Sequence, residues 1–406
     1  MCFGSISGSS VANVAGTGSI TIPLMKKTGY PSEFAGAVEA VASTGGQIMP
    51  PMMGSAAFIM AGTVGVSYIV IAKAAIIPAI LYYLAVFFMV DFRAAKLNMH
   101  GLPKNELPPF KKTLLHGGHL LIPLVVIIYL MLIGRSAQFS AIFSTVTLVI
   151  LTFIRKWTRM DGKRLLKGIL QGVIDTSIVS GTAALAGLIV GGLTISGLGL
   201  VFAQKITALS GGHLWLALIL VAVASLVMGM GMSTMAVYIT VATIMAPALA
   251  KMGVPLLAAH LFVFFFGIIG TITPPVAMTA FTAAGIAQAN PSKTGWAAFK
   301  LGISAYIIPF MFVYCPELLG EGSFATIVLT LASACIGIYL LAGAVEGWMF
   351  GSAGKTVRVL MGLTSFLMIL PGIRTDLVGF CITVVIVLVQ RFKKSTTDGE
   401  EVRVDE

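Results

Sequence analysis

The sequence predicts an all-α polytopic membrane protein, and three observations support that prediction. Of its 406 residues, 57% are hydrophobic and only 10% are charged, and the mean hydropathy is +0.99. Soluble domains contain about 25% charged residues, so this chain has too few to solvate its own surface. Its apolar residues form runs of about 20 residues, the length that a helix needs to span a bilayer. A water-soluble enzyme, a disordered protein and a fibrous protein are therefore excluded.

The charged residues are distributed as in a membrane protein. There are 26 Lys and Arg against 15 Asp and Glu, a formal net charge of +11. The basic residues lie in short loops, as the positive-inside rule predicts, and not on one soluble face as in a DNA-binding domain. We therefore expect the loops at 91–118 and 155–168 and the tail after 391 to face the cytoplasm. The loop at 317–323 contains two glutamates and no basic residue, so we expect it to face the outside.

Apolar runs between charged or Gly/Pro-rich breaks predict a series of helices. Residues 1–32 are polar and glycine-rich, and they lack the basic start and clean apolar core of a signal peptide. The sequence therefore looks as if it begins midway through a fold. The predicted helical runs are 33–65, 67–90, 119–134, 137–154, 171–193, 213–229, 233–250, 257–289, 297–316, 324–349, 355–371 and 374–391.

Comparing the sequence with itself at an offset of 224 residues indicates an internal duplication. The matches need no gap, and most involve helix-breaking Gly, Pro, Ser or Thr. The helix at 67–90 ends at a basic loop, whereas its counterpart at 297–316 ends at the acidic loop, so we predict that the repeats are inverted. The matched residues include Ser9 with Ser233, Ser10 with Thr234, Gly29 with Gly253, Gly46 with Gly270, and Pro50 and Pro51 with Pro274 and Pro275.

Inversion constrains the second repeat. The run at 171–193 can cross the membrane, and the short run at 197–209 can lie along the outer interface. We predict that 213–229 and 233–250 form a re-entrant hairpin. Two ordinary spanning helices are the alternative, but they would not be compatible with inverted repeats. The predicted organisation is a first, incomplete repeat (1–91), cytoplasmic loops with scaffold helices (92–170), a second repeat (171–318), and extra C-terminal helices with a cytoplasmic tail (319–406).

Two kinds of polar patch recur, once in each repeat. One is a hairpin tip at 4–10, matched by 229–234; the other is an interrupted helix at 43–51, matched by 270–275. Two consecutive prolines remove two backbone donors, so a continuous helix cannot pass. Freed carbonyls and Ser/Thr hydroxyls are ligands for a hard cation, and half-helix N-termini favour an anionic group. The alternative is structural, because Gly and Pro are frequent in membrane helices and Ser/Thr can bridge them.

The remaining polar residues in apolar sequence have simpler interpretations, with one exception. Glu39 is an acid at membrane depth and therefore a functional candidate, although its counterpart in the second repeat is Val263. For Lys73, Asp175 and Glu346 we expect that the side chain snorkels to the membrane surface or that the residue lies at a helix end. His116 and His119 have no third ligand nearby, and the cysteines match no metal-ligand spacing, so we expect structural roles. The cysteines are Cys2, Cys315, Cys335 and Cys381.

The segments GSISGSSVANVAGTG, IPLMKKTGY, FAGAVEAVASTGGQIMPP and ITPPVA resemble the large membrane (DctM-like) subunit of tripartite ATP-independent periplasmic (TRAP) transporters. More narrowly, they resemble the fused permeases that work with TAXI-type periplasmic binding proteins. The resemblance extends from residue 1 to about 318. It implies an inverted-repeat, elevator-type importer of a small carboxylate-type organic anion in the bacterial inner membrane, driven by Na⁺ or H⁺ symport. The absence of a GxxxxGK[ST] phosphate loop from the sequence agrees with transport that does not use ATP.

The resemblance also implies the site residues, with cation sites where each hairpin tip meets its broken helix. The second site departs from the first at one position, because Val237 stands where the first repeat has Asn13. The coupling ion would be Na⁺, with H⁺ as the alternative, and neither a transition metal nor an organic cofactor is implied. The implied cation ligands are Ser10, Asn13, Gly45, Ile48 and Pro50, and then Ser233, Thr234, Gly270, Thr273 and Pro275. The implied substrate-binding residues are Ser7, Gly8, Ser9, Thr44, Gly46, Gln47, Gly231 and Thr271.

Two expectations concern what the chain is not. Its first hairpin keeps only residues 1–8 of one arm, so we expect a fragment that lacks N-terminal helices and the small membrane subunit. A membrane-embedded enzyme is the first alternative function, although no nucleophile–base pair supports it. A non-transporting structural membrane subunit is the second alternative, and it leaves the duplicated helix breaks unexplained. Solute uptake by vesicles distinguishes the three.

Overall fold

The fold was determined as a computed structural model, which describes residues 4, 8–51, 53–99, 101, 103, 109–369 and 372–404. The described part is helical, apart from turns and an isolated bridge between Trp348 and Ser352. The helices are α1 (Ser10–Lys27), α2 (Ser32–Gly45), α3 (Ser55–Val64), α4 (Tyr68–Lys96), α5 (Phe110–Gly117), α6 (Ile122–Leu132), α7 (Ala137–Thr152), α8 (Gly162–Ile195), α9 (Leu198–Leu209), α10 (Leu214–Gly229), α11 (Thr234–Lys251), α12 (Leu256–Ile269), α13 (Met278–Ala287), α14 (Pro291–Leu301), α15 (Ile303–Tyr314), α16 (Phe324–Glu346), α17 (Lys355–Ile369) and α18 (Ile373–Val404).

Several of these helices have the length and composition of membrane spans. Two consecutive helical stretches, Gly187–Ile195 and Leu198–Leu209, are long and apolar enough to cross a bilayer only when taken together, and they are bent by 73° relative to each other. These helices confirm the prediction of an all-α, multi-pass membrane protein. In the described part, the five helical stretches long and apolar enough to cross a bilayer are Tyr68–Lys96, Lys111–Leu132, Thr234–Lys251, Pro291–Tyr314 and Phe324–Glu346.

The core surrounds the first halves of the two interrupted helices, α2 and α12. Helix α2 packs against α1, α13 and α14, whereas α12 packs against α10, α11 and α15. A helix that is apolar on every side must be buried on every side. The segment LFVFFFGII of α12 is such a helix, and each of its residues is buried. The two interrupted helices thus lie at the centre of the fold, and the hairpin arms pack on them.

Local geometry repeats at the 224-residue offset. Met53 and Ala277, each two residues after a Pro-Pro pair, both have a positive φ, of 53° and 38°. Gly29 and Gly253 also share a positive φ, of 109° and 91°. Ser9 and Ser233 both cap a helix with the side-chain oxygen. These three pairs of equivalent positions therefore share a local backbone feature, a positive φ or a serine cap.

Four predicted boundaries are wrong. The loop predicted at 91–118 is partly helical, because α4 continues to Lys96 and α5 occupies Phe110–Gly117. The loop predicted at 155–168 already contains the start of α8 at Gly162, and α18 continues beyond 391 to Val404. Lys, Arg and Glu are good helix formers, so charge ends a membrane-buried run without ending the helix. The helix predicted at 297 begins instead at Pro291, where the Asn290 side chain accepts a hydrogen bond from the Lys293 amide.

Candidate functional site

Each of the two hairpin tips is the N-terminus of a helix. The Ser9 hydroxyl accepts a hydrogen bond from the Ala12 amide at the start of α1, at 3.3 Å. The Ser233 hydroxyl accepts one from the Ala236 amide at the start of α11, at 3.5 Å. A serine cap of this kind satisfies one of the free amides at a helix start. The remaining amides of both tips are donors for an anionic group.

The first helix break separates α2 from α3. Helix α2 ends at Gly45, and the chain turns through Pro50 and Pro51 before the Gly54 amide donates back to the Gln47 carbonyl at 2.9 Å. Gln47 is 1% exposed, and its Oε1 atom has no hydrogen-bond partner among the described residues. A buried polar atom without a partner is costly unless it serves a ligand. The break therefore contains an acceptor that is ready to bind a donor or a cation.

The second break separates α12 from α13. After a 3₁₀ turn at Gly270–Ile272, the chain passes through Pro274 and Pro275. The Thr271 hydroxyl donates to the Ile268 carbonyl at 2.8 Å, and the Thr273 hydroxyl lies 2.7 Å from both the Ile269 carbonyl and the Tyr306 hydroxyl. Both threonine hydroxyls thus have protein partners in this conformation.

Close packing of glycines joins each hairpin to its break. A Cβ atom added at Gly46 would lie 2.5 Å from the backbone of Gly4. A Cβ atom added at Gly270 would lie 2.9 Å from the backbone of Gly229. Real Cβ atoms do not approach backbone so closely, so both junctions require glycine. The first arm of each hairpin therefore rests directly on the point where the helix is interrupted.

Asn13 makes the first junction polar, whereas Val237 makes the second apolar. The Asn13 side-chain amide donates to the carbonyls of Gly4 and Ser43, both at 3.3 Å, and the side chain is 1% exposed. Val237 is 2% exposed, and a Cβ atom added at Gly267 would lie 2.5 Å from its side chain. The expected asymmetry between the two repeats is therefore visible as hydrogen bonding on one side and close apolar packing on the other.

The first tip also touches the other repeat. The Ser10 hydroxyl lies 2.7 Å from the Thr279 hydroxyl at the start of α13, and both side chains are buried. The sequence comparison matched Thr279 with Ser55, at the start of α3, but did not assign Thr279 to the site. That match was available as a signal.

The structure places the implied ligands in two groups that differ in exposure. The first group is closed, because Ser10, Asn13 and Gly45 are buried along with Ile48, and Pro50 is half-buried. The second group is partly open. Its residues Ser233 and Pro275 are exposed and Thr234 is half-buried, whereas Gly270 and Thr273 are buried. Of the implied substrate-binding residues, Thr44, Gly46, Gln47 and Thr271 are buried, Gly8 is half-buried, and Ser9 and Gly231 are exposed; Ser7 lies outside the described residues.

A cavity of about 460 Å³ lies beside the second break, lined by Pro274, Pro275, Phe281, Ser292 and Trp296. A second cavity of about 300 Å³ shares Ser292 and Trp296 with it. The lining of the second cavity adds three basic residues, Arg93, Lys293 and Lys300, and the acid Glu346. The two cavities are therefore neighbours, and one of them has three basic residues in its lining.

The other polar residues singled out in the sequence have mixed outcomes. Glu346 ends α16 as expected, but it is buried and pairs with Arg93, with 2.7 Å between Oε2 and Nε. Lys73 is exposed, and the side chain of Asp175 is not described. His116 stacks on the ring of Trp157 at 4.5 Å between centroids, so it has a packing partner.

Interrupted helices that meet polar hairpin tips inside a multi-pass protein define the class of secondary transporters built from broken helices. The family model of the DctM component of the tripartite ATP-independent periplasmic transporter matches residues 1–327, and the chain belongs to this family. The family named by the resemblance is thereby confirmed, whereas the TAXI type stays a prediction. The named relatives are transporter permeases and not enzymes, which agrees with the prediction of a transporter from the sequence.

Three relatives illustrate the similarity. The isethionate TRAP transporter permease protein DctMQ of Oleidesulfovibrio alaskensis is 26% identical over 300 residues, which are 71% of this chain and 45% of that protein. The 2,3-diketo-L-gulonate TRAP transporter large permease protein YiaN of Escherichia coli is 24% identical over 79% of this chain and 74% of that protein. The C4-dicarboxylate TRAP transporter large permease protein DctM of Pseudomonas aeruginosa is 25% identical over 70% of this chain and 66% of that protein. The chain thus spans less than half the length of the isethionate permease.

Proposed function

We propose that the chain is the permease subunit of a binding-protein-dependent secondary transporter, which imports a small organic anion of the carboxylate type across the bacterial inner membrane. Membership of the DctM family supports the transport class. The observation that most directly supports the mechanism is the pair of glycine junctions, Gly46 on Gly4 and Gly270 on Gly229, which join each hairpin to a helix break. Such junctions provide helix N-termini and free carbonyls away from the bulk solvent.

The chemistry of the site favours an organic anion. The three relatives are named for isethionate, 2,3-diketo-L-gulonate and C4-dicarboxylate, all of which are organic anions. In this chain, the helix N-termini behind Ser9 and Ser233 offer amide donors to an anion. Lys293 and Lys300 add positive charge to the lining of the neighbouring cavity, whereas Arg93 in the same lining is paired with Glu346. A negatively charged solute would therefore be attracted to this side of the second break.

The uptake would be driven by symport of Na⁺, or of H⁺. Oxygen atoms at the first junction, including the unpartnered Oε1 of Gln47 and the carbonyls near Gly45 and Ile48, are of the kind that a hard cation prefers. The second junction would provide oxygens from Ser233, Thr234 and Thr273. In an elevator mechanism, the broken helices and hairpin tips would move together past the scaffold helices. No organic cofactor enters this proposal.

The partners follow from the same proposal. A TAXI-type periplasmic solute-binding protein would deliver the solute, and membrane lipid would surround the apolar faces. A small membrane subunit would be a further member of the assembly. The test is uptake of radiolabelled organic acids into vesicles that contain the complete permease, with the binding protein added outside. Uptake that needs the binding protein and an inward cation gradient would support the proposal, and uptake without either would contradict it.

A further inference from the structure

Glu39 is a buried acid on α2, at the contact of this helix with α1. It is 6% exposed and lies six residues before the end of α2 at Gly45. Among the described residues, no Lys, Arg or His forms an ion pair with it. Glu346 is also buried, but it has Arg93 as a partner. An isolated carboxylate at membrane depth is costly, and such residues are usually functional.

Three hydroxyl groups surround this carboxyl group. Thr17 and Thr21, one turn apart on α1, donate to its two oxygens, Thr21 at 2.6 Å to Oε2. Ser43, one turn further along α2, donates to Oε1 at 3.3 Å. Since α1 is the hairpin arm and α2 is the broken helix, the carboxyl group lies in the joint between two elements of the proposed transport site. Hydroxyl donors stabilise an ionised carboxylate in the absence of a cation.

The same hydroxyls also fit a protonated Glu39. The Thr17 hydroxyl lies 2.8 Å from the Asn13 carbonyl, and the Thr21 hydroxyl lies 3.0 Å from the Thr17 carbonyl. Each hydroxyl has one proton and can accept as well as donate. When Glu39 is ionised, both threonines donate to its oxygens. When a proton adds to a carboxylate oxygen, that O–H donates to the hydroxyl of one threonine. The hydroxyl proton of that threonine then points to a main-chain carbonyl, which is that of Asn13 for Thr17 and that of Thr17 for Thr21. No heavy atom has to move between the two charge states.

Among the described residues, no other titratable group on α2 or on the elements packed against it forms a hydrogen bond or an ion pair with Glu39. Helix α13 and the 3₁₀ turn at Gly270–Ile272 contain none. The Lys26 ammonium donates to the Ala287 carbonyl, and the Tyr82 and Tyr83 hydroxyls donate to the Val41 and Ala42 carbonyls. Neutralisation of the Glu39 charge by a proton therefore requires no rearrangement of a neighbouring ion pair. The remaining groups are Lys27 on α1, Glu33 on α2, Tyr68, Lys73, Asp91, Arg93 and Lys96 on α4, and Lys293 and Lys300 on α14.

The second repeat lacks the whole cluster. At the 224-residue offset, Glu39 corresponds to Val263 and Ser43 to Gly267. The two threonines likewise correspond to apolar residues, because Thr17 is matched by Val241 and Thr21 by Met245. Four polar residues are thus present together in one repeat and absent together from the other, as expected for parts of one site.

We propose that Glu39, Thr17, Thr21 and Ser43 form a proton-binding site. A second statement, that proton binding at this site drives solute uptake, rests on the proposed function. No hydrogen bond joins Glu39 to Asn13 among the described residues. Ser43 and Thr17 lie between them: the Ser43 carbonyl accepts from the Asn13 amide, and the Thr17 hydroxyl reaches the Asn13 carbonyl. A change of charge at Glu39 therefore acts on hydrogen bonds that hold the hairpin arm against the helix break.

Infrared difference spectroscopy of the purified chain in lipid vesicles tests proton binding without any transport. A pH step in Na⁺-free buffer should produce the carbonyl band of a protonated carboxyl group. We expect Glu39→Gln to abolish one component of this band and the matched Glu33→Gln, in the first turn of the same helix, to retain that component. If Glu39→Gln does not fold, Thr21→Val keeps the carboxyl group but removes one donor, and we expect it to shift the pH midpoint of the same component.

The outcomes separate the two statements of the proposal. A band unchanged in Glu39→Gln, or a midpoint unchanged in Thr21→Val, would overturn proton binding at Glu39. A band that responds to Na⁺ at constant pH would replace the proton by sodium and also overturn it. In uptake assays with the complete permease, Glu39→Gln should lose the dependence on a pH gradient; retained dependence would overturn coupling at Glu39. If the unmodified permease imports nothing, the proposed function fails, while the infrared result for Glu39 stands.

Discussion

The hydroxyl groups of Ser10 and Thr279 lie 2.7 Å apart, although 269 residues separate them in the sequence. Ser10 belongs to the first turn of α1, the hairpin arm of the first repeat, and Thr279 to the first turn of α13, which follows the second break. Both side chains are buried, so the contact is not exchanged for water. The two repeats are therefore joined by a hydrogen bond at the N-termini of two half-helices, where the proposed anion would bind.

A double-mutant cycle on this pair is the first prediction. Ser10→Ala and Thr279→Val should each destabilise the folded chain, and the double variant should lose less than the sum. We expect a coupling free energy of about 0.5–1.5 kcal/mol, the usual net contribution of a buried hydrogen bond. Thermal unfolding in one detergent measures it. Strictly additive losses would show that the two hydroxyls do not interact.

The second prediction concerns the glycine junction of the first repeat. Gly46→Ala places a methyl group where the Gly4 backbone already lies, 2.5 Å away, so the hairpin arm must move off the break. We expect a loss of stability of about 1–3 kcal/mol and loss of uptake. The matched control is Gly62→Ala in α3, where nothing lies within 4 Å of the added atom. Equal effects of the two substitutions on uptake would contradict the importance of the junction.

The third prediction compares Asn13 with its counterpart. Asn13→Ala removes both amide hydrogen bonds to the Gly4 and Ser43 carbonyls, for which the surrounding apolar protein offers no replacement. We expect the cation dependence of uptake by the complete permease to weaken about tenfold, the effect of about 1.4 kcal/mol. Val237→Ala should leave the cation dependence within a factor of two or so, because that side chain makes only apolar contacts. Titration of uptake with Na⁺ and with H⁺ gives both values, and an unchanged dependence in Asn13→Ala would remove this residue from the site.

The fourth prediction tests the inverted topology. With Cys381 replaced by serine, a cysteine at Lys156 should react with an impermeant thiol reagent only from the cytoplasmic side. A cysteine at Glu321 should react only from the outer side. Both positions are exposed, so access to the reagent depends on the side of the membrane alone. Labelling of the Glu321→Cys variant from the inside only would exclude inverted repeats.

Much of the site's position could be predicted from the sequence, because it rests on residues with strong local preferences. Pro50–Pro51 and Pro274–Pro275 interrupt helices wherever they occur, and the structure has both breaks there. Ser9 and Ser233 cap the helices that follow them. Helix ends marked only by charge were misplaced, as at Lys96 and Gly162, since lysine and arginine do not end a helix.

Contacts between distant segments could not be predicted in the same way. Glu39 could be singled out as an acid at membrane depth, but its three hydroxyl partners could not, because Thr17 and Thr21 belong to another helix. The pairing of Glu346 with Arg93 likewise joins α16 to α4. Each of these depends on how two helices are rotated against each other, which apolar periodicity specifies only coarsely.

The sequence by itself determined the class of protein and the positions of the helix breaks. These follow from composition and from backbone chemistry, since a chain this apolar must be buried in lipid and a Pro-Pro pair cannot continue a helix. Only the tertiary structure decided which polar groups meet: Ser10 with Thr279, Asn13 with the Gly4 and Ser43 carbonyls, and Glu39 with hydroxyls rather than a cation. The physical reason is that a hydrogen bond requires about 3 Å between its atoms, and close packing of the whole helix set fixes such distances.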